Sequence, residues 1–133
     1  MARAAKIRIL FLDDDDSFLK MVSQRLSAEG YKITAHTDCA KAIDTIRRGK
    51  VDVAFVDFKM PRLNGIEVIG QIREFDSSIP LVLLTGHTDT AIMEKYKHLN
   101  IHGFFAKLDD FKKLGNLIQV ILRGIDRASK KKV

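Results

Sequence analysis

The chain has a single cysteine, Cys39, so it can close no disulfide on itself and build no cysteine cage for zinc. At the start of an expected helix, Cys39 suits a small buried filler better than a reactive thiol. Long hydrophobic runs are absent as well: the apolar stretches stop after a few residues, far short of the roughly 20 that cross a bilayer. The opening "MARAAKIRIL" lacks the apolar core and small-residue cleavage site of a signal peptide. A cytoplasmic protein without membrane contact is the expectation. No internal repeat is present, and no low-complexity segment outside a charged end.

Acid is in short supply overall, with a net charge of +6 and a pI near 9.6. The excess is local. The last eleven residues, "RGIDRASKKKV", set five cationic side chains against Asp126 and account for +4 of it. No recognition helix or zinc finger accompanies them, so direct nucleic-acid binding is not expected and the segment reads as a solvated helix end or the start of a linker. What remains, with 46% hydrophobic content over the 133 residues, fits one compact domain. We place it at residues 5–125, with 126–133 as basic tail or linker.

Five apolar runs are expected strands: "IRILFL" (7–12), "YKITAH" (31–36), "VDVAFV" (51–56), "IPLVLLT" (79–85) and "HGFFAK" (102–107). Between and after them lie helical spacings, marked in turn by Phe18, Leu19, Val22 and Leu26; by Ala40, Ile43 and Ile46 up to Gly49; and by Ile66, Ile69 and Ile72. A weaker fourth uses Ile92, Tyr96 and Leu99, and a strong fifth uses Leu114, Leu117, Ile118, Ile121 and Ile125. Strict alternation argues for a parallel sheet with helices on both faces. "ILFL", "VAFV" and "LVLL" are unbroken, as strands buried on both sides must be, whereas the second run interleaves polar residues and the fifth is short. The expected fold is therefore a doubly wound five-stranded α/β domain, flavodoxin-like, of order 2-1-3-4-5, with ligands bound beyond the carboxyl ends of the first and third strands.

Asp13 and Asp14 directly follow the first strand, and Asp57 ends the third. Two unit charges about 4 Å apart cost about 4 kcal/mol at an effective dielectric near 20, so a cation must offset this gathering. Magnesium fits, with manganese as an alternative, because it takes oxygen ligands and commonly one or two carboxylates beside a phosphate oxygen. Lys107 closes the fifth strand and Thr85 the fourth. Alone, Lys107 reads as a solvated lysine and Thr85 equally as a strand or turn residue. Together with three acids they make a phosphoryl-handling set: a carboxylate nucleophile, a cation and a hydroxyl.

These signals, "LDDD", "VDFKMPRLNG", "LLTG" and "FFAK", come in order on the appropriate elements over roughly residues 7 to 124. In them the chain resembles the response-regulator receiver domains of two-component signalling, the CheY-like domains. The resemblance implies Asp57 as phosphoacceptor and itself a ligand of the ion, Asp13 and Asp14 as the acidic metal pair, and the backbone carbonyl of Lys59 as a further ligand. It implies Thr85 and Phe104 as a switch pair whose rearrangement reshapes the face of the fourth helix, fifth strand and fifth helix. The phosphoryl donor would be a sensor histidine kinase or phosphotransfer protein, the recipient of the signal an output domain or protein, and pairing of two copies through that same face is an open mode. Lys59 and His87 hold positions that in this family modulate the lifetime of the phosphate, although plain exposed side chains explain them as well. Pro61 and Gly65 read as turn residues. Where the family usually continues Lys-Pro with a cis bond, this chain has "KLDD", and a cis bond before Leu108 would cost about 2.5 to 4 kcal/mol.

Within "LDDDD", Asp14 is expected to contact the metal directly and Asp13 mainly through water, Asp15 to be a loop acid, and Asp16 to cap the first helix ahead of Ser17. An aspartyl-phosphate hydrolase would commonly place a second acid two residues past the nucleophile, where this chain has Lys59. The alternative function is a receiver-shaped binding module that acts without phosphorylation. A receiver would phosphorylate and slowly dephosphorylate itself without turning over a separate substrate.

Overall fold

A computed structural model describes residues 6–60, 64–86, 90–107 and 110–131, without side-chain detail at 90, 92, 93 and 125–131. Its elements are β1 (Arg8–Leu12), α1 (Asp16–Ala28), β2 (Lys32–His36), α2 (Cys39–Arg47), β3 (Val53–Asp57), α3 (Gly65–Phe75), β4 (Leu81–Thr85), α4 (Thr90–Lys95), a 3-10 turn (Lys97–Leu99), β5 (Gly103–Ala106) and α5 (Phe111–Lys131). The strands form one parallel sheet in the order β2-β1-β3-β4-β5, as the continuity of the apolar runs implied.

Alternation along each strand sorts the core into two layers. Leu10, Leu12, Ala54, Val56, Leu81 and Leu83 face one side, where Ile43 and Ile46 of α2 and Ile69 and Ile72 of α3 cover them. Ile9, Phe11, Val53, Phe55, Val82 and Leu84 face the other, under Leu19, Val22 and Leu26 of α1 and Leu114 and Ile118 of α5. Every residue of β3 and β4 is buried, while β2 and β5 keep partly exposed positions, as edge strands do. Burying one such aliphatic side chain contributes roughly 1.5 to 3 kcal/mol, so these layers dominate stability.

Three local expectations change. Asp15, not Asp16, caps α1: its carboxylate accepts the Phe18 N–H at 3.1 Å, and Asp16 is already the first helical residue. In α2 the inward alanine is Ala42, with Ala40 exposed. The fourth helix is short, because after Lys95 the chain tightens into the 3-10 turn and ends on Asn100 in the left-handed region at φ 55°. Arg73 of α3 holds that turn by donating to the carbonyls of Leu99 and Asn100, both at 2.8 Å, so Tyr96 and Leu99 still pack on the core. α5 runs on through Lys131, so the basic segment begins as a helix end, one of the two readings of the tail. Gly49 does end α2, taking φ 73° where a side chain would be strained.

Candidate functional site

At the carboxyl edge, β1 and β3 are neighbours while their following connections leave in opposite directions, which opens the crevice where such sheets bind ligands. Asp13 continues the line of β1, its N–H reaching the carbonyl of His36 at 3.1 Å, and this carries its carboxylate into full burial. Oδ1 accepts the N–H of Asp15 at 3.0 Å and Lys107 Nζ at 3.1 Å; Nζ also lies 2.9 Å from Oδ2. Lys107 reaches this position because β5 pairs with β4 and its own N–H is held by the Thr85 carbonyl at 2.9 Å.

Asp57, the last residue of β3, is 5% exposed. Burial first, then the negative charge and hydrogen bond of Asp13, push its carboxyl up to about 7. The Lys107 ammonium and the backbone N–H of Lys59 pull in the opposite direction. Lys107 keeps its proton more firmly than usual: burial opposes this, but the hydrogen bond and charge of Asp13 and the charges of Asp57 and Asp15 outweigh it. One lysine thus faces three acids.

Asp13, Asp14 and Asp57 each offer a carboxylate oxygen, all within 4.8 Å of one another, with Asp14 exposed to solvent. The donors are hard oxygens carrying more negative charge than Lys107 balances, a set that suits a magnesium ion and not a thiophilic metal. Thr85 is 4% exposed, and its hydroxyl has no hydrogen-bond partner among the described residues. An orphaned buried hydroxyl at a sheet end is ready to bond an incoming group.

Of the residues that sequence reasoning named, the structure brings together Asp13, Asp14, Asp57 and Lys107, and it places Thr85 at the end of the adjoining β4, where its carbonyl holds the Lys107 N–H. Phe104 lies nearby on β5, half-buried and packed against the α2–α3 layer. Lys59 has an exposed side chain, and its backbone N–H acts on Asp57, favouring the ionised carboxylate. Pro61, His87 and the Lys107–Leu108 step involve residues outside those described.

Two features went unread. Gly65 is more than a turn residue: a Cβ there would sit 2.3 Å from the Asp57 carbonyl oxygen, so only glycine lets the start of α3 press against the end of β3. Its N–H bonds the Phe58 carbonyl at 2.9 Å, and Asn64 caps the helix on Glu67 N at 2.9 Å. The "NG" dipeptide before an apolar helical pattern was the available signal. Asp15 is the other, since it caps α1, ties its N–H to Asp13 and stands 3.8 Å from Lys107 Nζ.

A doubly wound parallel sheet with an acid cluster and one lysine at its switch point defines a flavodoxin-like domain with a cation-seeking site. The model of the response regulator receiver domain family matches residues 9–119, and the chain belongs to that family, the receiver domains of two-component systems. The response regulator MprA of Mycobacterium sp. (strain KMS) is 35% identical over 105 residues, covering 79% of this chain and 43% of that protein. The probable transcriptional regulator ycf27 of Guillardia theta is 31% identical over 124 residues, 93% of this chain and 48% of its own length. The chain spans about half the length of the ycf27 relatives it matches. Among solved structures, the chemotaxis protein CheY4 of Vibrio cholerae superposes with a TM-score of 0.80 at 26% identity, over 86% of this chain and 98% of the other. Among the described residues no helix is long and apolar enough to cross a membrane.

Proposed function

We propose that Asp57 is the phosphoacceptor of a signalling switch, charged by a phosphohistidine on a sensor kinase or phosphotransfer protein. The observation that carries this reading is a buried carboxylate at a sheet end shared with a paired ammonium and an unpartnered buried hydroxyl. Asp57 must be ionised to attack, and Lys107 favours that form. Its oxygen forms the new bond to phosphorus as the donor's P–N bond breaks, the bonding pair leaving on the imidazole nitrogen. Lys107 then faces a phosphoryl oxygen in place of bare carboxylate charge, and the Thr85 hydroxyl donates to another.

Asp13, Asp14, Asp57 and the Lys59 carbonyl would hold a magnesium ion, with manganese as a substitute; when bound, it neutralises charge on the transferring group. Drawing Thr85 toward the phosphate vacates space into which Phe104 turns, biasing the face of α4, β5 and α5 between two shapes. That face would speak to an output partner or domain, or to a second copy. The receiver unit would be residues 5–125, and self-phosphorylation and slow hydrolysis would be its only chemistry.

The test offers acetyl phosphate or phosphoramidate with Mg2+ to the wild type and to Asp57→Asn. An acid-resistant, base-labile label on the wild type alone is expected. No label on the wild type would favour a binding module that works without phosphate, and equal labelling of the variant would remove Asp57 from the role.

A further inference from the structure

Lys107 is held from a direction that its acidic partners do not explain. Its Nζ stands 5.0 Å from the centroid of the Phe18 ring, over the aromatic face. Phe18 is 7% exposed and belongs to the first turn of α1, the turn capped by the Asp15 carboxylate. The same carboxylate lies 3.8 Å from Nζ. Behind Phe18, its ring meets Phe11 edge-on at 6.3 Å, and Phe11 stacks on Phe55 at 4.6 Å and 14°. Phe11 and Phe55 are register partners on β1 and β3, each two residues before a site acid, Asp13 or Asp57. An aromatic stack thus runs beneath the site and ends at the ammonium.

We propose that the capped first turn of α1 is a positioning clamp for Lys107, with Phe18 as its principal residue. A lysine stem has four rotatable carbons and a strongly hydrated head, so a carboxylate alone leaves the ammonium free to swing toward water. The Phe18 face attracts the cation and closes off one side, while Asp15 sets the ring by fixing where the helix begins. The ammonium is thereby kept between Asp13 and Asp57 before any phosphoryl group arrives, and it need not be reoriented during transfer. Phe18 itself touches no reacting atom. For its effect on phosphorylation, the clamp rests on the phosphoacceptor reading above.

The experiment compares Phe18→Leu, which keeps apolar bulk without a π face, with Phe18→Tyr, which keeps the face. Three quantities are measured on the whole chain: the rate of labelling by phosphoramidate with Mg2+, Mg2+ affinity, and the NMR shifts of the Lys107 side chain in lysine-labelled protein. Phe18→Leu should slow labelling about three- to tenfold, the range expected for a partly desolvated cation–π contact, while Mg2+ affinity holds within about twofold. Phe18→Tyr should restore the rate. The ring-current shift on the Lys107 ε-methylene should vanish in Phe18→Leu and persist in Phe18→Tyr.

Equal rates for the two variants, or Lys107 signals unmoved by Phe18→Leu, would overturn the clamp. A parallel loss of Mg2+ affinity in Phe18→Leu would also overturn it, by showing general damage to the site. A wild type that takes no label removes the phosphoacceptor reading alone, and the Lys107 shifts then decide the clamp by themselves.

Discussion

Lys107 Nζ stands 2.9 Å from Oδ2 of Asp13, a fully buried carboxylate 94 residues away in sequence. The pair is the main internal compensation for the acids at the sheet edge. Lys107→Met should therefore destabilise the metal-free protein by about 2 to 4 kcal/mol at pH 8, the cost of leaving a buried charge without its partner. Near pH 5, where the raised carboxyl of Asp57 takes up a proton and removes one negative charge from the cluster, the loss should shrink. Urea unfolding at both values checks this, and an equal loss at both would show that the lysine acts through packing.

Asp57 makes the pH dependence explicit. Its carboxyl is raised to about 7 in the fold from an ordinary value of 3.8, chiefly by burial and then by Asp13. Below about 4 the group is protonated in folded and unfolded chains alike, and the fold keeps its full stability with respect to it. Between about 4 and 7 the unfolded chain gives up its proton while the fold retains it, so stability falls, and above 7 the loss is complete. Asp57→Asn cannot titrate there. In metal-free buffer its melting temperature should exceed that of the wild type above pH 7, with the advantage fading toward pH 4. Mg2+ should raise the wild type more than the variant.

Two glycines of the same helix should respond with opposite signs. Gly65→Ala forces a Cβ to 2.3 Å from the Asp57 carbonyl oxygen, a backbone atom that can yield only by moving the end of β3. A loss of about 3 kcal/mol is expected, with slower labelling of Asp57. Gly70 has nothing within 4 Å of where a Cβ would stand, and Gly70→Ala should gain about 0.5 to 1 kcal/mol from helix propensity. Denaturation of both variants under one set of conditions makes the comparison.

The aspartates at the start of α1 can be separated in the same way. Asp15→Ala removes the cap on Phe18 N and should cost about 1 kcal/mol, whereas Asp15→Asn keeps a capping oxygen and should recover most of it. Asp16→Ala loses only a favourable charge in the first turn, about 0.5 kcal/mol or less. Reversal of that order in urea unfolding would return the cap to Asp16.

Four adjacent aspartates show where reading the chain succeeds and where it stops. That Asp13 and Asp14 lie at a ligand crevice followed from an unbroken apolar run ending beside them and from the sheet order that such runs imply. The division between Asp15 and Asp16 did not follow, because either residue can cap a helix and the choice depends on where Phe18 must turn to meet Phe11. The fourth helix is shorter than its apolar spacing implies for a related reason. Tyr96 and Leu99 are spaced for a helix, yet Arg73 captures the Leu99 and Asn100 carbonyls and the chain closes in a tighter turn.

What the sequence by itself determined was the layered α/β fold, the central place of β1, β3 and β4, and the identity of five residues at the carboxyl edge. All of these follow from periodicity and from position along a strand, which are local properties of the chain. Only the tertiary structure decided that Asp13 is sealed against Lys107, that Gly65 must lack a side chain to sit against Asp57, and that Phe18 faces the ammonium. Those relations are distances of a few ångströms between elements separated in sequence. They are set by how the two layers pack on the sheet, and no spacing within a single element encodes them.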